Sequence, residues 1–241
     1  MKISTDTLQA AFQKRGYYWH NQLNLIGIRT KALVADKFND FLVCSWTQPA
    51  METSLPIREK QKFLNVFGFT GKDGLPLKED GDAGSNTTHA LGKYFKTVGL
   101  LQQRIYVITT DPGSYYLENP LNGGCAVVCP GQYKNVWRLG FHQGKTDHPA
   151  LVQHGGPITI WRDTDRDKLP EAMGKPVSGF FGINCHRASL KQVLLTIGQW
   201  SAGCQVMPKH RDHQELLDIC AHFEKSLQNL YTYTLLEEKD L

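Results

Sequence analysis

The chain has 241 residues, of which 41% are hydrophobic, and it carries a formal net charge of +4. This length suits one large domain or two small ones, and the apolar content is sufficient for an ordinary folded core. No run approaches the ~18 consecutive apolar residues of a membrane span, which excludes one. The chain has no dense Lys/Arg tract of the kind that would indicate a nucleic-acid partner. The first residues lack the features of a signal peptide, which predicts a protein that is cytoplasmic on synthesis.

The first elements along the chain are predicted from capping residues and composition. A helix is predicted within residues 1–20, where Ser4 or Thr5 can cap it. Residues 71–88 are rich in Gly, Asp and Pro, which predicts a long loop. Short apolar runs separated by Gly, Pro and Asp predict a β core over about residues 100–208.

The C-terminal part is predicted to be a helix over residues 209–230. Its apolar residues recur at helical spacing and form one stripe: Leu216, Cys220, Phe223, Leu227 and Leu230. The stretch "YTYTLL" that follows predicts an edge strand. Since no linker or internal repeat is evident, we expect a single domain over residues 1–241, of a mainly β (α+β) class with helices at both ends.

Six cysteines are present, and we expect them to be reduced. An even cysteine count indicates disulfides mainly in small secreted chains, and this chain is neither small nor marked for secretion. Cys125 and Cys129 lie in a predicted strand that separates them by ~13 Å, beyond the reach of a disulfide.

One cysteine and one histidine stand out as candidates for chemistry. Cys204 follows the small residues Ser-Ala-Gly at 201–203, which let backbone N–H groups approach a reacting carbonyl. His186 ends a predicted strand whose alternation places Asn184 and His186 on one face and Cys185 on the other. An adjacent imidazole can take the proton from a thiol. The alternative is a structural cysteine and a surface histidine, because free cysteine is commonly buried.

Residues 157–206 resemble the active-site region of the L,D-transpeptidase catalytic domain. That family carries a His-Gly or His-Ser pair and, further along, Ser/Thr-His-Gly-Cys, often with Arg or Asn two residues after the cysteine. Here His186 and Arg187 occupy the first place and residues 201–204 the second. The separation of the two motifs also suits the family.

This sequence departs from the family motif at two positions. The histidine before Gly-Cys is Ala202 here, and the residue two after the cysteine is Val206. A basic group for a substrate carboxylate then has to come from elsewhere, and Arg187 is the nearest candidate. The resemblance is therefore to a divergent branch, of the phage or gut-bacterial type.

The resemblance implies an L,D-transpeptidase-like β-sandwich or barrel and a cysteine acyl-transfer enzyme acting on peptidoglycan stem peptides. It implies that Cys204 attacks a peptide carbonyl while His186 takes the thiol proton. The oxyanion would be held by backbone N–H groups of Ala202, Gly203 and Cys204. The implied substrate-binding residues are Arg187, Ser201, Trp200 and Asn184.

A lytic, endolysin-like peptidase fits a chain without an export signal whose substrate lies beyond the membrane. In that role water resolves the acyl-enzyme, and we expect hydrolysis to prevail over transfer to an amine. The alternatives are a true L,D-transpeptidase and a non-catalytic relic of the fold that binds the cell wall or a partner protein.

Metal sites are weighed and not expected. His210 and His213 could form a zinc site with Cys204, as in a zinc amidase, but a zinc site needs a further ligand and an orienting outer shell. Residues 163–174 imitate a calcium loop but carry Lys168 where that loop requires glycine. We therefore predict no metal and no cofactor.

Overall fold

The computed structural model describes residues 2–32, 34–120 and 123–241 and shows a mixed α+β fold, which confirms the predicted class. The α-helices are α1 (Thr5–Arg15), α2 (Ile57–Val66), α3 (Ser85–Phe95), α4 (Ser114–Glu118) and α5 (His210–Phe223). The strands are β1 (Leu23–Arg29), β2 (Asp40–Thr47), β3 (Leu101–Ile108), β4 (Cys125–Val128), β5 (Gly131–Phe141), β6 (Pro149–Gln153), β7 (Ile158–Asp163), β8 (Val177–Gly179), β9 (Cys185–Arg187), β10 (Gln205–Met207) and β11 (Tyr231–Glu237). None of the helices in these residues has the length and apolar composition that crossing a bilayer requires.

The chain forms two compact units where the sequence predicts one domain. The larger unit combines Met1–Ser45 with Gln103–Leu241, and the smaller one is Trp46–Gln102. Aromatic rings form the core of the smaller unit, where the Phe63 ring centroid lies 4.9 Å from that of Phe67 and 5.4 Å from that of Tyr94. The smaller unit therefore has an apolar core of its own.

The region predicted as a loop over 71–88 is shorter in the structure. Helix α3 begins within that range at Ser85. The irregular residues before it are held by side chains of α2, since Asn65 exchanges two hydrogen bonds with the backbone of Leu77 at 2.8 and 2.9 Å. Gln61 likewise accepts the N–H of Gly81 at 2.8 Å. These hydrogen bonds explain how a segment rich in Gly and Asp adopts a defined backbone conformation.

The strands form two sheets. The larger has eight strands in the order β10-β9-β6-β5-β11-β1-β2-β3, and the smaller has the order β4-β7-β8. β11 lies inside the larger sheet, parallel to β1 and antiparallel to β5, so the predicted edge strand is wrong. Its threonines do not mark an exposed face, because the hydroxyls of Thr232 and Thr234 accept hydrogen bonds from Asn135 N–H at 3.1 Å and the Gln132 amide at 3.2 Å.

Helix α1 packs on the sheet through one apolar face. Ser4 caps its first turn, and Gly16 at φ 68° ends it in the left-handed conformation that glycine adopts without strain. The buried residues of the helix and the strands beneath it form one cluster: Leu8, Ala11, Phe12, Ile26, Ile28, Val43 and Leu236. This helix occupies the middle of the predicted 1–20 region.

Helix α5 ends at Phe223, before the predicted limit of residue 230. Gln228 and Asn229 have φ angles of 53° and 62°, and such left-handed residues cannot continue a right-handed helix. Leu216, Cys220 and Phe223 are buried, as the apolar stripe predicts.

Strands β9 and β10 place the candidate nucleophile and base side by side. They pair in parallel with His186 opposite Val206, and Cys204 directly precedes β10. Val206 also exchanges two backbone hydrogen bonds with Thr109, at 2.9 and 3.1 Å. On its other side, β9 meets β6, where Cys185 lies opposite Leu151. Pairing on both sides fixes the backbone that carries His186.

Candidate active site

Cys204 lies in the wall of a cavity of about 380 Å³, which we call the Cys204 cavity. Its wall is formed by residues of β4 and β7, by the 3₁₀ turn His142–Gly144 after β5, and by residues 181–184. This volume is in the range of pockets that hold small ligands. The cavity therefore provides space for a substrate beside the thiol.

The thiol of Cys204 is held by two backbone groups. Its Sγ lies 3.4 Å from the carbonyl oxygen of Gly182, to which the S–H donates, and it accepts the N–H of Asn184 at 3.4 Å. The residue is partly exposed, but its surroundings raise the pKa of the Cys204 thiol to about 11 by desolvation. The thiol is therefore protonated at neutral pH and needs a base to become a nucleophile.

His186 has the tautomer that a base for this thiol requires. Its Nδ1 lies 2.8 Å from the carbonyl oxygen of Arg187, which can only accept, so Nδ1 carries the proton and Nε2 carries the lone pair. Nε2 is buried and has no partner among the described residues. Burial and the nearby His142 hold the pKa of His186 well below its ordinary value, so the ring is neutral at pH 7.

A second histidine that the sequence analysis did not select completes the group. His142 stacks on His186 with ring centroids 3.9 Å apart and an interplanar angle of 26°. One ring nitrogen of each histidine and Sγ of Cys204 all lie within 4.8 Å of one another. In the sequence, His142 is recognisable only as a histidine that follows a long predicted strand. Its place next to His186 depends on the fold, which brings the end of β5 to this site.

The three side chains do not form a good metal site as they stand. A metal ion binds in the plane of each imidazole at roughly 2.1 Å from its nitrogen. Two rings stacked 3.9 Å apart and tilted by only 26° lie in nearly parallel planes, so an ion at bonding distance from both nitrogens cannot lie in both planes. The lone pairs of His142 and His186 therefore cannot converge on one ion without rotation of a ring.

Of the two metal alternatives weighed from the sequence, the zinc set does not come together, and the calcium-like segment gathers only exposed carboxylates. Among the described residues, neither His210 nor His213 belongs to a group of three metal-ligating side chains with Cys204. In the segment that imitates a calcium loop, Asp163 is buried and accepts the N–H of Glu171 at 2.8 Å. Carboxylate oxygens of Asp165, Asp167 and Glu171 do lie within 4.8 Å of one another, but all three residues are exposed, and exposed acidic groups commonly cluster in this way without binding an ion.

The turn before Cys204 is fixed by Ser201 and Gly203. The Ser201 hydroxyl donates to the carbonyl oxygen of Cys204 at 2.8 Å and accepts the N–H of Gly203 at 3.1 Å. Gly203 has φ 126°, and a Cβ there would lie 2.6 Å from the carbonyl oxygen of Ala126. Ser201 thus holds the turn rather than a substrate, and the predicted oxyanion donor Gly203 N–H is already bonded.

The two remaining predicted oxyanion donors stay available. The N–H groups of Ala202 and Cys204 have no hydrogen-bond partner in the part of the chain that the structure describes. Both residues line the Cys204 cavity. They are the amides that a reacting carbonyl can reach.

Two of the predicted substrate-binding residues lie elsewhere. Arg187 is buried and donates from Nη2 to the carbonyl oxygen of Asp147 at 2.8 Å. It does not line the Cys204 cavity, because strand alternation turns it to the face of β9 opposite His186. Trp200 is 40% exposed and borders a separate depression formed by residues 194–200. The expectation that these two side chains contact substrate is not supported.

Asn184 does line the cavity, but it holds His142 in place. Its Oδ1 accepts the N–H of Gln153 at 2.9 Å, which leaves its Nδ2 as the donor to His142 Nδ1 at 3.0 Å. Both ends of the amide are therefore engaged within the protein.

The basic residue in the cavity is Arg162. Its guanidinium carbon lies 5.0 Å from the centroid of the Phe181 ring, and Nη1 donates to the carbonyl oxygen of Gly124 at 3.2 Å. Among the described residues no carboxylate pairs with it. Its remaining N–H groups are free to bind an anionic group in the cavity. In the sequence, the feature that could have indicated Arg162 is its position near the end of the strand "ITIWRD".

Comparisons with protein-family models, with curated proteins and with solved structures find no match to this chain. The resemblance to the L,D-transpeptidase domain therefore stays a prediction.

Proposed function

We propose that this protein is a cysteine acyl-transfer enzyme that uses Cys204 as nucleophile and His186 as base. The observation that carries the proposal is the tautomer of His186. Because the Arg187 carbonyl holds the proton on Nδ1, Nε2 is the ring nitrogen with a free lone pair, and a ring nitrogen of His186 lies within 4.8 Å of Sγ. At pH 7 the His186 imidazole is neutral and the Cys204 thiol is protonated, because burial opposes the charged form of each, so the proton moves as Sγ attacks rather than before.

The reaction follows from these two groups. Nε2 of His186 takes the thiol proton as Sγ of Cys204 attacks the substrate carbonyl, giving a tetrahedral oxyanion. Collapse of this intermediate breaks the C–N bond, and the His186 imidazolium returns the proton to the leaving amine. His186 then takes a proton from water, which attacks the thioester, and the acid is released with the thiol restored.

Stem peptides of peptidoglycan are the substrates we propose. The supporting features are the resemblance in residues 157–206 and an unpaired guanidinium in the cavity, where Arg162 can hold a peptide carboxylate. We propose water as the acceptor of the acyl group. An endolysin-like lytic role rests on this hydrolysis.

The test is digestion of purified muropeptides, followed by mass spectrometry, with the intact protein and three variants. Cys204→Ala and His186→Ala should each abolish turnover, and the double variant should be no worse than either, because nucleophile and base act as a unit. Cys129→Ala, which removes a buried thiol outside the cavity, is the matched control and should keep full activity. Turnover by folded Cys204→Ala would refute the proposal.

The product identifies the acceptor. In water carrying a heavy oxygen isotope, hydrolysis places one labelled oxygen in the new carboxyl group. Unlabelled cross-linked dimers or exchanged terminal residues would instead identify an L,D-transpeptidase.

Thiol alkylation separates an enzyme from a non-catalytic relic. If His186 activates Cys204, iodoacetamide should modify Cys204 faster in the intact protein than in His186→Ala. Equal rates, together with no turnover of muropeptides, would indicate a binding protein.

A further inference from the structure

His142 and His186 are neutral histidines with opposite tautomers. Gln153 N–H donates to Oδ1 of Asn184, which leaves the NH₂ group of Asn184 facing His142 Nδ1. An NH₂ group can only donate, so Nδ1 of His142 is the acceptor and Nε2 carries its proton. His186 has the reverse arrangement, with its proton on Nδ1. His142 therefore offers an N–H where His186 offers a lone pair.

His142 keeps this tautomer over the pH range in which proteins work. Burial, with a smaller contribution from His148, lowers the pKa of His142 to about 4. The ring is therefore neutral at pH 6 to 8, and it cannot act as the base through Nε2, which already carries hydrogen. Its ring lines the Cys204 cavity, with a nitrogen within 4.8 Å of Sγ.

The chemistry at Cys204 needs a donor of this kind. Attack on a carbonyl places a negative charge on its oxygen, and N–H groups directed at that oxygen are a large part of catalysis in such reactions. The amide of Gly203 is bonded to Ser201 and does not serve. Neutral imidazole is a good donor for an oxyanion because it polarises the carbonyl without itself losing a proton.

We propose that His142 is a catalytic residue whose Nε2–H donates a hydrogen bond to the oxyanion formed when Cys204 attacks its substrate. This inference rests on the proposed function and deepens it. His186 moves the proton, and His142 stabilises the charge.

Two variants separate this role from that of a ring supporting His186. His142→Phe keeps an aromatic ring for stacking and removes both nitrogens. His142→Gln removes the ring and keeps an N–H donor. Thermal unfolding shows whether each variant is folded.

Two probes of Cys204 separate the oxyanion from the thiol. Iodoacetamide reacts by displacement at a saturated carbon and forms no oxyanion. The peptide aldehyde N-acetyl-alanyl-alaninal adds the thiol across its carbonyl and forms a tetrahedral hemithioacetal. We expect His142→Phe to alkylate within about twofold of the intact protein, and to lose about 10²–10³-fold in aldehyde affinity and in muropeptide turnover. His142→Gln should recover part of both losses.

Other outcomes overturn the proposal. If His142→Phe binds the aldehyde as the intact protein does, or if the intact protein has no affinity for it, His142 does not donate to an oxyanion. If alkylation and aldehyde binding fall together, His142 only supports the ring of His186. Muropeptide turnover that depends on Cys204 but not on His142 would refute this inference alone, whereas turnover by Cys204→Ala would refute the proposed function itself.

Discussion

Gly203→Ala is expected to damage both the fold and the thiol. Gly203 has φ 126°, which L-residues rarely adopt. An added Cβ would lie 2.6 Å from the carbonyl oxygen and 2.8 Å from Cβ of Ala126. Ala126 cannot easily retreat, because it pairs with Arg162 of β7 in the smaller sheet. Either β4 shifts or the turn that carries Cys204 does.

The expected loss of stability has two parts. A residue held in a sparsely populated backbone region costs about 1–3 kcal/mol, and forcing a methyl group against packed neighbours costs about 1–3 kcal/mol more. We therefore expect the free energy of unfolding to fall by roughly 2–6 kcal/mol, a large share of the ~5–15 kcal/mol of an ordinary protein.

Urea unfolding of Gly203→Ala and of Gly174→Ala gives the loss of stability in each variant. The difference between the two losses measures the part due to the contact of the added Cβ with Ala126. Gly174 has φ 65° and nothing within 4 Å of an added Cβ, so its replacement measures only the backbone preference of glycine, about 1 kcal/mol. Alkylation of Cys204 by iodoacetamide should also slow in Gly203→Ala, because the thiol is displaced from His186. Equal losses in the two variants, with unchanged alkylation, would refute the reasoning.

Three further predictions concern acid, substrate charge and metal. Burial lowers the pKa of His213 to about 3; because the unfolded imidazole binds its proton near 6.5, stability should fall as the pH drops below 6.5, by about 3 kcal/mol at pH 4 from this group. In urea titrations His213→Leu should flatten that slope, and an unchanged slope would contradict the assignment. Arg162→Leu should raise KM by at least about tenfold for substrates with a free carboxylate, with Arg162→Lys in between; equal KM values in steady-state assays would remove Arg162 from the site. EDTA should leave turnover unchanged, since the stacked rings of His142 and His186 do not converge on an ion; activity lost to EDTA and restored by zinc would show the opposite.

The centre of the site could be predicted from the sequence, because it depends on local rules. Strand alternation correctly places Asn184 and His186 on one side, since Asn184 binds His142, which stacks on His186. The same rule turns Arg187 to the other side with Cys185. Arg187 follows His186 directly along the chain, but the alternation of side chains in a strand places two consecutive residues on opposite faces.

The wall of the site could not be predicted because it depends on strand pairing. His142 reaches His186 through the order β5, β6, β9 of the larger sheet, and Arg162 faces the same cavity from the smaller sheet. A single sequence shows strands, but it does not show which strands become neighbours. The same limit explains β11, whose partners lie at distant positions in the chain.

The start of helix α3 could not be predicted for a different reason. Helix α3 begins with Ser-Asn-Thr-Thr, residues with low helix propensity, directly after a segment rich in Gly and Asp. Its stability comes from tertiary packing, where Thr87, Ala90 and Tyr94 are buried. Propensity alone therefore favoured a loop across the start of this helix.

The position of β11 has a consequence for how the chain acquires its structure during synthesis. β1 pairs with β11, about 200 residues further along the chain, with Leu25 opposite Tyr233. Contacts this distant are slow to form, because a long loop must close before they contribute any stability. Until β11 has been made, β1 and β5 each lack the neighbour that β11 provides, and each presents an open edge that can pair with another chain. A nascent or truncated chain ending before Tyr231 should therefore aggregate, and we expect this protein to depend on a chaperone until its last strand is inserted.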